Sequence, residues 1–180
     1  MNTNLIKVLI VNLTNHSYWN LEKNKKNMIY NHDLKLNSSK YLKVNKNLIP
    51  TGRFKNVKKS IYNFLNFENI GKKLEFFKNK KLNIKLRGFD TTFVVKKNTR
   101  NYVGTLKNNN TNIHVNFFSN LPGLQLYSAQ NLNYKKKLFR YQGICLETQY
   151  FPDTPNKKNF PSTLIKPNKR YTCFTKIKID

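Results

Sequence analysis

Strict alternation of apolar and polar side chains recurs along this 180-residue chain. Leu82, Ile84 and Leu86 alternate with Lys81, Asn83, Lys85 and Arg87. Ile113, Val115 and Phe117 alternate with Asn112, His114 and Asn116. Near the C-terminus Tyr171, Cys173, Ile177 and Ile179 fall on one side, with Thr172, Lys176 and Lys178 on the other. A period of two is the repeat of a strand buried on one face. Turn-forming residues punctuate these runs at Pro50-Thr51-Gly52, Asn108 to Asn110, Pro122-Gly123, Pro152 to Pro155 and Pro167-Asn168. Only Ile61 to Phe67 and Ile70 to Phe77 read as short helical turns. The pattern predicts an all-β chain, most simply a sandwich with its functional groups on one concave face. No internal repeat or linker divides it, so residues 1–180 read as one domain.

Composition bounds the class. Hydrophobic residues make up 38%, with 13 Phe and 10 Tyr, too much apolar material for a disordered tail. A chain of this length buries roughly 70% of its unfolded surface if it folds alone. No apolar run approaches the ~18 residues of a membrane span. The short patch Leu9 to Leu13 is interrupted by Asn12 and lacks a small-residue cleavage site, so no signal peptide is expected. Two cysteines, Cys145 and Cys173, make neither a disulfide framework nor a metal site, and a reducing, cytoplasmic compartment is the expectation.

The formal net charge of +26 suits a polyanion partner. The basic residues are nearly all Lys, however, spread along the chain and interleaved with Asn, as in Lys23-Asn24-Lys25-Lys26-Asn27. Both residues have A/T-rich codons, so genome composition accounts for the bias more simply than a nucleic-acid face does. Arg, the better reader of phosphates and bases, is scarce.

Against this background the segment Gly143-Ile-Cys-Leu-Glu-Thr-Gln-Tyr-Phe-Pro-Asp153 stands out. It places Glu147, one of eight acidic residues, in a partly apolar strand. Burial there can tune a carboxylate toward general-base work, although a sheet-edge Glu looks the same in sequence. Of three histidines, His114 reads as an exposed strand residue and His32 as the opening of a strand. His16 lies in Val11-Asn-Leu-Thr-Asn-His-Ser-Tyr-Trp-Asn-Leu21, polar groups beside the only Trp, a composition that suits a sugar or a turn network. Ligand spacing for a metal is absent, as are phosphate-binding glycine loops. Cys145 and Ser17 lack a base at defined spacing. What remains is a candidate acid, His16, and a candidate base, Glu147, a pair suited to moving protons on a neutral hydroxylated substrate.

Five segments carry a family resemblance: VNLTNHSYWNL (Val11 to Leu21), LIPTG (Leu48 to Gly52), GFDTTFVV (Gly88 to Val95), PGLQLY (Pro122 to Tyr127) and GICLETQYFPDTPNKKNFPST (Gly143 to Thr163). In this order the chain resembles the galactose mutarotases (aldose 1-epimerases). The resemblance implies a large β-sandwich and interconversion of the α and β anomers of a neutral hexose such as glucose or galactose, without a cofactor. It implies His16 as general acid and Glu147 as general base. Asp90, Gln125 and Tyr18 become sugar-binding positions, with Ser17 and Trp19 flanking the site. Two departures accompany it. Thr91 stands where the family usually has His, and Ser128-Ala129-Gln130-Asn131-Leu132 replaces a GNFL-like run. The matching segments belong to the C-terminal half or so of the family. The expected fold is therefore that sandwich truncated at its N-terminus, with unpaired edges and a complementing N-terminal half as a partner. The alternatives are an inactive carbohydrate-binding or scaffold remnant and a basic nucleic-acid-associated protein on the same fold.

Overall fold

Thirteen antiparallel strands and one short helix form from this sequence in the computed structural model, which describes residues 7–78, 87–98, 100–133 and 138–180. In chain order the strands are β1 (Leu9–Ile10), β2 (Tyr18–Trp19), β3 (His32–Leu36), β4 (Lys40–Val44), β5 (Pro50–Asn56) and β6 (Glu68–Asn69), followed by helix α1 (Ile70–Lys78). Then come β7 (Asp90–Val94), β8 (Tyr102–Asn108), β9 (Ile113–Ser119), β10 (Gly123–Tyr127), β11 (Ile144–Gln149), β12 (Leu164–Ile165) and β13 (Thr175–Ile179). A six-stranded sheet runs β2-β11-β10-β7-β4-β5 and a five-stranded sheet runs β13-β9-β8-β3-β6; β1 and β12 pair separately.

Alternation does what the sequence predicts. Leu124, Leu126, Ile144, Leu146 and Phe93 of the larger sheet meet Leu34, Leu36, Val103, Leu106, Val115 and Phe117 of the smaller one in a single buried cluster. The architecture is an all-β sandwich. Trp19 bridges the layers with its ring edge-on to Phe117, centroids 5.7 Å apart. A second, smaller cluster of Leu42, Phe151 and Phe160 packs with Val94 on the outer side of the larger sheet.

The helical expectations divide. Ile70 to Phe77 is helical: Ile70, Gly71, Leu74 and Phe77 share the buried face, and the Asn69 side chain caps the first turn by accepting the Lys72 N–H at 3.0 Å. Ile61 to Phe67 is not. Ser60 and Asn63 bend the backbone there by accepting the Tyr62 and Leu65 N–H groups, and the Phe64 carbonyl accepts the Leu36 N–H at 2.7 Å. Pro50-Thr51-Gly52 likewise proves to be the start of β5 rather than a turn. The reversal lies just before it, where the Asn45 side chain accepts the Asn47 and Ile49 N–H groups and Leu48 takes a left-handed φ of 62°. The alternation over Leu82 to Leu86 falls outside the described residues. At the C-terminus only Thr175 to Ile179 pairs as a strand, and it is exposed throughout.

Just after β2 the chain is tied down by buried polar groups. His32, fully buried at the start of β3, accepts the Leu21 N–H at Nε2 over 2.7 Å. Glu22 accepts from Asn108 at 2.8 Å and Asn31 at 3.3 Å.

Candidate active site

Antiparallel register decides which residues meet. Gln125 of β10 lies opposite Glu147 of β11 and Thr92 of β7; Tyr127 lies opposite Cys145 and Asp90; Cys145 lies opposite Tyr18 of β2. Opposed residues share a face, and the intervening Leu124, Leu126, Leu146, Ile144 and Phe93 fill the core. The outer face of the larger sheet therefore gathers Tyr18, Asp90, Thr92, Gln125, Tyr127, Cys145 and Glu147.

His16 reaches this face from the turn before β2. Asn15 sets that turn by accepting the Ser17 N–H at 3.1 Å and the Ser17 hydroxyl at 2.6 Å. The result brings His16 Nε2 to 3.5 Å from Glu147 Oε1, with the His side chain 52% exposed and the Glu side chain 8%. His16 Nδ1 lies 3.5 Å from Cys145 Sγ, and its ring packs 5.2 Å from that of Tyr18. The close approach of β2 needs a residue without a side chain at Gly143, where a Cβ would stand 3.0 Å from Tyr18 Cβ.

Burial governs the electrostatics. It pushes the Glu147 carboxyl above the usual carboxylate range; His16 opposes the shift and the charge of Asp90 adds to it. Asp90 is raised by burial too, partly offset by its hydrogen bond from Gln125. A raised carboxyl is the stronger proton acceptor once ionised. Burial, reinforced by Glu147, pushes the Cys145 thiol up to about 12, so it keeps its proton. The Tyr18 hydroxyl, also raised by burial, bonds the same thiol.

Four of the residues expected at the site, Tyr18, Asp90, Gln125 and Glu147, share this face, and His16 stands over it. Trp19 does not join them: one residue along from Tyr18 it points inward to Phe117. Ser17 holds the turn, its hydroxyl donating to Asn15. Thr91 also points away, onto Tyr62 in the core, so its replacement of the family's His leaves the outer face unchanged. Ser128 accepts the Phe89 N–H at 2.8 Å and donates to Gln130 at 2.9 Å, bracing the segment that leads to Asp90. Cys145, Thr92 and Tyr127 are additions. The signal for each was present in the sequence, two positions from Glu147, Asp90 and Gln125 on the same strand. His32 and His114 lie on the five-stranded sheet and take no part.

His16, Cys145 and Glu147 also place one ligand atom each within 4.8 Å of one another. This is the donor set among the described residues that could hold a metal, although spacing along the sequence gave no sign of it. A metal would require the thiolate, which the burial of Cys145 disfavours. A cavity of about 600 Å³, lined in part by Phe54, Val94, Leu121 and Phe151, holds none of the site residues. His16 and Glu147 lie on the outer face of the six-stranded sheet.

Comparisons with known proteins bear on the family and the fold. The sequence model of the aldose 1-epimerase family matches residues 1–178. Galactose mutarotase of Sus scrofa is 30% identical over 172 residues, covering 92% of this chain and 48% of that protein. Aldose 1-epimerase of Escherichia coli K12 is 26% identical over 174 residues, covering 92% and 49%. Among solved structures, an aldose epimerase homologue from C. elegans superposes with a TM-score of 0.83 at 21% identity, covering 96% of this chain and 52% of that one. Galactose 1-epimerase from Lactobacillus acidophilus gives 0.75 at 25% identity, covering 97% and 50%. The chain spans about half the length of these relatives. With a family match over nearly every residue, the chain belongs to the aldose 1-epimerase family.

Proposed function

We propose that the outer face of the six-stranded sheet interconverts the α and β anomers of a neutral aldohexose, glucose or galactose. The observation that carries this is the 3.5 Å approach of His16 Nε2 to Glu147 Oε1. The two oxygens that exchange protons in anomerisation, the C1 hydroxyl and the ring oxygen, are bonded to the same carbon. An acid and a base serving them must stand within a few ångströms of each other.

Glu147 takes the proton from the C1 hydroxyl. The C1–ring oxygen bond breaks, its electron pair goes to the ring oxygen, and His16 protonates that oxygen as the C1 carbonyl forms. Rotation about C1–C2 presents the other face. Reclosure returns one proton to His16 and the other from Glu147 to the C1 oxygen. Protons and electrons balance with no other reactant, so the reading needs no cofactor. Each positioned acid or base contributes about 10²–10⁴-fold. Asp90 and Gln125 offer acceptor and donor groups to the remaining hydroxyls, and Tyr18 and Tyr127, ring centroids 6.5 Å apart, offer an aromatic surface. The resemblance implies a substrate-positioning Arg and a further His in the half of the family that this chain does not match, and we assign them to a complementing segment. The unpaired Cys145 and Cys173 suit a reducing, cytoplasmic setting.

Polarimetry on freshly dissolved α-galactose or α-glucose tests the proposal. Accelerated relaxation, abolished by Glu147→Gln, is the expected result. No acceleration, even with the N-terminal half of a relative supplied in trans, overturns it.

A further inference from the structure

We propose that Thr92 is a positioning residue of this site: its hydroxyl fixes the Gln125 amide in the one orientation that serves Asp90 and the sugar. This rests on the proposed anomerase reading for its kinetic consequence, but not for its geometry.

Thr92 and Gln125 are directly opposed across the β7/β10 ladder. Thr92 Oγ1 donates to Gln125 Oε1 at 2.5 Å, and Gln125 Nε2 donates to Asp90 Oδ1 at 2.6 Å. The polarity of the relay is forced from one end. An ionised carboxylate only accepts, so the nitrogen of the amide must face Asp90. The oxygen then faces Thr92, and the hydroxyl has to donate. The chain therefore runs one way, hydroxyl to amide to carboxylate, and successive hydrogen bonds of one polarity strengthen each other. Thr92 is buried at 4% exposure, so water does not readily stand in for its hydroxyl. The amide so held keeps one N–H to offer a ligand. Gln125 lies between Asp90 on the strand to one side and Glu147 directly opposite on the other, so it spaces the sugar-binding carboxylate from the proton-accepting one. Without the hydroxyl, the long Gln125 side chain regains rotamer freedom and binding has to reorder it. That loss falls on ground-state and transition-state binding alike, so it appears in KM rather than kcat.

The test uses the full chain with Thr92→Val, which keeps the shape and strand preference but removes the hydroxyl, and Thr92→Ser, which restores it. For the Val variant, KM for the aldose should rise about 3- to 10-fold, the worth of one hydrogen bond, with kcat within about 2-fold. In the sugar-free protein the Gln125 side-chain NH₂ resonances should shift and exchange faster with water, and Ser should restore both. Unchanged NH₂ resonances and KM in the Val variant, or a Ser variant as impaired as Val, overturn the assignment. A wild-type chain without anomerase activity, even with the N-terminal half of a relative supplied, whose Gln125 NH₂ still loosens in Val and tightens in Ser upholds the relay and refutes the proposed reaction.

Discussion

Acidification should loosen the segment that carries the proposed acid before it disturbs the sandwich core. The perturbation acts on His32, whose imidazole is buried and accepts the Leu21 N–H at 2.7 Å, two residues beyond β2. Burial pulls its pKa from 6.5 to about 4; Glu22 opposes the shift and Lys25 adds to it. A depressed folded-state pKa means that the unfolded chain binds the proton first. Stability from this group is fully present above the unfolded value of 6.5 and is lost as pH falls through the window down to about 4. A displacement of that size corresponds to roughly 3 kcal/mol as an upper bound, with a slope of at most about 1.4 kcal/mol per pH unit. Protonation also converts Nε2 from an acceptor to a donor facing the Leu21 N–H, so this hydrogen bond must break. Urea unfolding followed from about pH 7.5 to about pH 4.5, for wild type and His32→Gln, isolates the contribution. Gln can still accept the Leu21 N–H, so the variant should be about 1–2 kcal/mol less stable near neutrality, through imperfect filling of the site. It should then lose less stability on acidification, because the variant has no buried imidazole to protonate. Parallel pH profiles for the two proteins refute the reasoning.

Further expectations follow from the same geometry. Glu147→Gln should slow anomerisation by about 10²–10⁴-fold and, because the native site raises this carboxyl, should also raise the thermal midpoint at neutral pH; calorimetry showing a lower midpoint contradicts the assigned electrostatics. Trp19→Ala should cost about 2–3 kcal/mol in denaturant unfolding while leaving KM for the aldose unchanged in the folded protein, since the ring packs on Phe117. Gly143→Ala should reduce kcat by displacing Tyr18 and the turn that holds His16, because the added Cβ would stand 3.0 Å from Tyr18 Cβ; wild-type kinetics in this variant would contradict the close packing of β2.

How much was legible in the sequence follows from which forces are local. Alternation is local, so Asn112 to Phe117 reads as a strand, and the same parity puts Cys145 with Glu147 and Thr92 with Asp90. Pairing across the sheet is not local. Nothing in the residues alone says that β11 is flanked by β2 and β10; that adjacency brings His16 to Glu147 across more than a hundred and twenty residues of chain and sets Gln125 beside it from the neighbouring strand. The resemblance supplied this adjacency for His16, Glu147, Asp90, Gln125 and Tyr18, but parity corrects it at Trp19. A residue adjacent to Tyr18 on a strand must face the other way. The helical expectation for Ile61 to Phe67 failed for a related reason. Phe64 is drawn into the core against Phe89 and Phe93, and that tertiary burial outweighs the local spacing.

The unequal anchoring of the two reactive groups has a consequence for how a sugar is admitted. Glu147 sits on a six-residue strand held by neighbours on both sides, whereas His16 hangs from a turn ahead of a two-residue edge strand. The carboxylate is therefore the fixed reference and the imidazole the hinged one. On the proposed reaction, an arriving ring would dock against a base that does not yield and displace an acid that does. The acid would then close on the ring oxygen wherever the anomer places it. A catalyst that must serve both hands of C1 gains from having only one of its two proton handlers held rigidly.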